Sequence, residues 1–115
     1  MTELATNTDT EPLADATCSA VRVLRLTLKR KWFDMIACGE KKEEYRTKSK
    51  WIESRLIGKH YDVIEFKNGY GKNVPTILVE FKGWLYGEGV TKWGAVEGQE
   101  YYVILLGRVL QKQND

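Results

Sequence analysis

Apolar and polar residues alternate with a period of two over Leu24, Leu26 and Leu28, with Arg25 and Thr27 between them. That period predicts a half-buried strand. The period then lengthens. Trp32, Met35 and Ile36 recur three and four apart, which puts them on one side of a helix, and Phe33 and Ala37 widen the stripe. Trp32 and Ile36 are therefore expected to be buried. Gly39 predicts the helix end, because glycine takes a left-handed C′ conformation without steric cost. Residues 49–57 predict a second short helix, with Ser49 as its cap, Gly58 as its stop, and Trp51, Arg55 and Leu56 on one face. Residues 62–67 alternate again and read as a strand. Asn68, Gly69, Tyr70 and Gly71 form a turn signal, and residues 74–81 read as the return strand, with Pro75 near its start. Residues 83–99 hold five glycines and predict an ordered loop with at most one short strand or turn. Residues 100–106 are mostly apolar and predict a central strand that continues towards Val109.

Several strands and two short helices give an α+β domain. A small barrel of about five to six mostly antiparallel strands would remove exposed sheet edges from so short a chain. The expected organisation is a flexible tail over 1–20, one domain over 21–110 and a polar end over 111–115. Residues 1–20 offer too little apolar surface to offset the entropy of ordering.

Composition narrows the setting. The chain has 115 residues and is 43% hydrophobic, which suits one domain with a core. No apolar run is long enough to cross a membrane, and the acidic, Thr-rich start lacks a basic or apolar leader segment. Cys18 and Cys38 make no disulfide framework and are expected reduced, in a cytoplasmic setting. One histidine and no Cys-x-x-Cys pair argue against a structural zinc site. No metal and no cofactor are expected.

Charge changes the picture more. The formal net charge is +2, but residues 1–19 carry Glu3, Asp9, Glu11 and Asp15 and no Lys or Arg. The rest keeps 18 basic and 12 acidic residues, a charge of +6. A basic domain favours an anionic partner, although charged surfaces are also ordinary in soluble proteins. Lys29, Arg30 and Lys31 crowd the start of the first helix, where the helix dipole is already positive and no Ser, Thr, Asp or Asn caps the end. Either an anion relieves that end or the side chains extend into water.

The candidate chemistry lies just after the first helix. Lys41 leaves the turn at Gly39. In the strand that follows, Glu44 and Arg46 point to one side, and Glu43 and Tyr45 to the other. In a structural role Glu44 would pair with its cationic neighbours and close a corner, which surface pairs do at little gain. In a functional role Lys41 and Arg46 would bind an anion or a base edge, with Glu44 orienting them. Tyr45, on the other side, reads as a packing residue. Four Trp and six Tyr supply stacking surfaces. Trp51, Tyr70 and Trp84 lie near basic or glycine-rich segments, where they either stack on unpaired bases or fill the core. Gly58-Lys59 and Gly71-Lys72 lack the spacing of a phosphate-binding loop. His60 stands without a nucleophile motif.

The spacing Gly39-x-Lys41-x-x-Glu44-x-Arg46, the preceding Trp32-Phe33-x-x-Ile36 and the tyrosine at 45 resemble the signature of ASCH domains, small barrels related to the PUA RNA-binding fold. The likeness in element order covers roughly residues 21–110. It implies a PUA-like barrel whose ligand cleft is lined by Lys41, Glu44 and Arg46; charge and chain position add an expected rim of Lys29, Arg30 and Lys31 or of Lys48 and Lys50, with Trp51, Tyr70 and Trp84 as stacking residues. The expected partner is single-stranded RNA or a nucleotide-like small molecule. Some ASCH proteins are amidohydrolases on 4-acetylcytidine that use a Lys, a Thr and a Glu, and others have been linked to RNA cleavage. The Lys of the amidohydrolases corresponds to Lys41, and their Thr falls where this chain has Glu44. Their Glu belongs to a helical insertion with no clear counterpart here, which leaves Glu88 and Glu97 as substitutes. Three readings follow: an RNA- or nucleotide-binding module, a small hydrolase with Lys41 and Glu44 as catalytic groups, and a protein-interaction domain with a vestigial cleft.

Overall fold

The computed structural model describes residues 21–113. The expected tail over residues 1–20 lies outside them. Elements follow in the order β1 (Val23–Leu28), α1 (Arg30–Ala37), β2 (Glu43–Arg46), α2 (Lys50–Leu56), β3 (Val63–Asn68), β4 (Thr76–Glu88), a 3-10 turn (Thr91–Trp93) and β5 (Glu100–Gln113). The fold is α+β: one curled five-stranded sheet in the order β1-β3-β4-β5-β2, with two helices. Only β1 and β3 run parallel, and the other three pairings are antiparallel. No helix among the described residues is long and apolar enough to cross a membrane.

The alternation read in β1 is realised, with Leu24, Leu26 and Leu28 buried. They join Ile64, Phe66, Ile77, Val79 and Ile104 from the other strands in one core, and Phe33, Ile36, Ile52 and Leu56 cover it from the helices. The burial expected of Ile36 is realised, and that of Trp32 only in part. In α1 the buried residues are Phe33 and Ile36, while Trp32 is only half-buried. In α2 Ile52 and Leu56, four apart, are buried, and Trp51 stays 49% exposed with the Arg55 guanidinium 5.1 Å from its ring centre. In each case the smaller apolar residue fits under the helix and the tryptophan is left at its edge.

The glycine-rich segment also differs. β4 runs through Gly83 and Gly87 to Glu88, since its partner β5 supplies a continuous ladder from Thr76↔Gln113 to Glu88↔Glu100. Three register shifts between Leu78 and Gly83 absorb the irregularity and sharpen the curl. β5 likewise continues through residues 111–113.

The curl brings the two edge strands, β1 and β2, to a seam. No ladder joins them. The Arg46 side chain crosses instead, and its Nη2 donates to the Thr27 carbonyl at 2.9 Å.

Candidate functional site

The site is built where α1 ends and β2 begins. α1 starts without a side-chain cap and with no acidic residue in its first turn. Gly39 follows the helix at φ 87°, and the Glu40 and Lys41 amides both donate back to the Met35 carbonyl at 3.0 Å. This tight stop turns the Lys41 side chain inward, where it is 2% exposed.

A buried ammonium needs acceptors. Lys41 Nζ donates to the Glu43 carbonyl and, at 2.8 Å, to Glu44 Oε1. The other Glu44 oxygen accepts Arg46 Nε at 2.8 Å. The result is a cation–anion–cation relay that carries one net positive charge and becomes more exposed along its length, with side chains 1%, 7% and 24% accessible. The period-two reading of β2 holds: Glu44 and Arg46 bond to each other, and the Tyr45 hydroxyl donates to Glu43 Oε1 at 2.7 Å.

A cleft of about 590 Å³ opens at the seam. β1 and the start of α1 contribute Thr27, Leu28, Lys29 and Trp32; β2 contributes Glu44, Tyr45, Arg46 and Thr47; the β3–β4 turn contributes Gly69 and Tyr70; β5 contributes Tyr101. That size falls in the range of small-ligand pockets. Arg46 spends two of its five N–H donors on Glu44 and Thr27. Glu44 is committed to two cations, so the polar character of the cleft is that of a hydrogen-bond donor.

Four aromatic rings stand around these charges. The Tyr45 and Tyr101 centroids are 5.8 Å apart. Lys31 Nζ lies 4.7 Å from the Trp32 ring, and Lys41 Nζ lies 5.9 Å from Trp32 and 5.1 Å from Tyr45. Tyr70 projects from its turn, 90% exposed. The glycine-rich segment holds two of the rings by direct backbone contact. A Cβ on Gly89 would fall 2.5 Å from the Tyr45 ring, and one on Gly94 would fall 3.0 Å from Trp32. The Val90 amide donates to the Tyr45 hydroxyl at 2.8 Å. Burial raises the Tyr45 pKa above the ordinary phenol value, and the Glu43 and Glu44 charges add to this, against the Val90 hydrogen bond. Tyr45 is therefore a neutral, fixed wall at physiological pH.

Of the residues expected at the site, Glu44, Arg46, Lys29 and Tyr70 line the cleft. Lys41 lies behind it, with its ammonium committed, and does not face a ligand as a catalytic group would. Arg30 pairs with Asp34 at 3.6 Å and points elsewhere, Lys31 covers Trp32, and Lys48, Lys50 and Trp51 are exposed outside the cleft. Trp84 packs edge-on against Tyr102 at 5.4 Å, on the core side. The sequence reading missed Tyr101 and Trp32 as walls and Thr27 as a backbone acceptor, and it took Tyr45 for packing alone. The available signal was the double tyrosine at 101–102: in a strand one ring of such a pair faces each side, so one was bound to leave the core.

Among the described residues no cluster of three or more His, Cys, Asp or Glu could hold a metal ion. No family model, no curated protein and no solved structure matches the chain.

Proposed function

We propose that this chain is an RNA- or nucleotide-binding module of the ASCH type on a PUA-like barrel, and that it takes its ligand in the seam cleft. The observation that carries the reading is the placement of a pre-oriented guanidinium, Arg46, among flat aromatic walls in a cleft of nucleotide size. Bases stack on such rings whatever their identity, at about 1–3 kcal/mol per base. Arg46 and Lys29 supply donors for phosphate or carbonyl oxygens. The relay behind them fixes Arg46 before binding, so less side-chain entropy is lost on contact. In this arrangement Lys41 has a positioning role. The hydrolase alternative would require its ammonium to leave both acceptors, and no observation favours that.

Calorimetric titration of the full chain tests the reading with single-stranded RNA octamers, nucleoside monophosphates and a panel of modified nucleosides. Binding should weaken as salt rises. Arg46→Lys should weaken it about tenfold, because the planar fork is lost while the charge is kept. Absence of binding to any member of the panel at millimolar concentration would overturn the proposal.

A further inference from the structure

A second groove lies away from the cleft and shares no residue with it. Its volume is about 480 Å³, and it runs between the end of α1 (Ala37, Cys38 and Gly39) and the second half of β5 (residues 108–112), with Lys42 beside them. Here β5 has a partner on one side only. β4 accompanies it to Gln113. β2 pairs with it only from Tyr102 to Leu105, and the last link is the Leu106 amide donating to the Lys42 carbonyl at 3.0 Å. Residues 107–113 thus present an unpaired strand edge along the groove, next to Leu110, which is 46% exposed.

Unpaired edges invite another strand, and proteins guard them with charge and bulges. This edge is guarded selectively. Lys42, Arg108 and Lys112 line the groove and no carboxylate does. Glu80 reaches Arg108 from β4 at 3.5 Å and accepts its backbone amide, so it neutralises one cation from behind. Lys42 and Lys112 have no carboxylate within ion-pair distance among the described residues. A second copy laid along the same edge would bring Arg108 and Lys112 against their own kind, which disfavours self-pairing. The same charges favour a strand of opposite sign.

We propose that the outer edge of β5 is a docking site for an acidic, extended peptide segment of a partner protein. The segment would add a sixth strand beside β5, its backbone pairing with residues 107–113, its carboxylates meeting Lys42 and Lys112, and an apolar side chain covering Leu110. Strand addition of this kind takes affinity from the backbone ladder and specificity from alternate side chains. The unpaired backbone favours a peptide over a nucleic acid, which would use the cations alone.

The test is NMR titration of the isotope-labelled full chain with a synthetic nonapeptide of alternating Glu and Val, and with its Lys-for-Glu counterpart. The acidic peptide should shift the amides of residues 107–113 and slow at least tenfold the hydrogen exchange of those that point away from β4, while the basic peptide should do neither. Lys42→Glu/Lys112→Glu, which spares the Arg108–Glu80 pair, should weaken the acidic peptide at least tenfold and let the basic one bind. An unchanged far-UV spectrum would show that this variant is folded, and Lys112→Gln alone, with an expected loss of about threefold, keeps the test open if it is not. Shifts without exchange protection, or equal protection by an RNA octamer, would overturn the proposal. So would protection, without peptide, of the amides that point away from β4, whether it grows with protein concentration or vanishes when residues 1–20 are deleted.

Discussion

The Lys41–Glu44–Arg46 relay and the Arg30–Asp34 pair use the same side-chain chemistry in opposite surroundings. In the relay the first two side chains are 1% and 7% accessible, and both ion-pair contacts are 2.8 Å. In the surface pair the side chains are 86% and 61% accessible and 3.6 Å apart. Water screens the second pair, and the entropy of holding two long side chains offsets its attraction. The relay has little water to fall back on. Its attraction mainly repays desolvation, so its weight appears when one member is removed. The difference teaches that a motif of charged residues has consequences only through the burial its surroundings impose.

The largest break in that comparison should come from Glu44→Ala. It leaves Lys41 and Arg46 facing each other without the carboxylate, and urea unfolding should report a loss of about 3–5 kcal/mol. A loss below about 1 kcal/mol would place the relay with the surface pairs. Lys41→Met keeps the volume and leaves Glu44 with Arg46 as its partner. Its cost should be smaller, about 1–3 kcal/mol for the unpaired oxygen, with nucleotide binding weakened through a less firmly held Arg46. Gly89→Ala probes the wall beside the relay. Its Cβ would sit 2.5 Å from the Tyr45 ring, and overpacking of this kind costs about 1–3 kcal/mol. The Tyr45 ring resonances should shift, whereas undisturbed resonances would mean that the 89–95 segment moves instead. Arg30→Ala should change stability by less than about 0.5 kcal/mol, at the limit of measurement.

One further probe is silent at neutral pH. The Tyr102 hydroxyl donates to Glu53 on α2 at 2.6 Å. That hydrogen bond, with burial and the Glu53 charge, pushes the Tyr102 pKa from 10.0 up to about 12. A raised folded-state pKa means that the stabilisation is complete below pH 10 and is lost as the pH climbs from 10 towards 12. Unfolding measured across that window should fall less steeply for Tyr102→Phe than for the parent chain. Equal slopes would show that the hydroxyl is not held as described.

Local sequence was enough for the elements on which the site is built. The period-two run at Leu24, Leu26 and Leu28, the stop at Gly39 and the alternation of Glu44 with Arg46 are short-range properties, set by sterics and side-chain direction within a few residues. Each appears as expected. The same reasoning expected Trp32 to be buried, and it is only half-buried. A helical stripe more than one residue wide does not say which member points at the core: Ile36 is buried with Phe33 rather than with Trp32, and in α2 the buried pair is Ile52 and Leu56.

The seam was decided only in three dimensions. Arg46 meets the carbonyl of Thr27, nineteen positions away, because the sheet curls until one long side chain can span its two edges. Tyr45 is held by the Val90 amide, forty-five positions away, and by a glycine small enough to let the backbone touch its ring. Tyr101 rather than Tyr102 faces the cleft because of the register of β5 against β2, and β4 continues through its glycines because β5 lies beside it. Chain-local chemistry thus determined which charged and aromatic residues were available and which neighbours they would have in a turn or strand. Which of them became wall, relay or surface depended on contacts between distant segments, and those exist only once the core has closed and set the curl of the sheet.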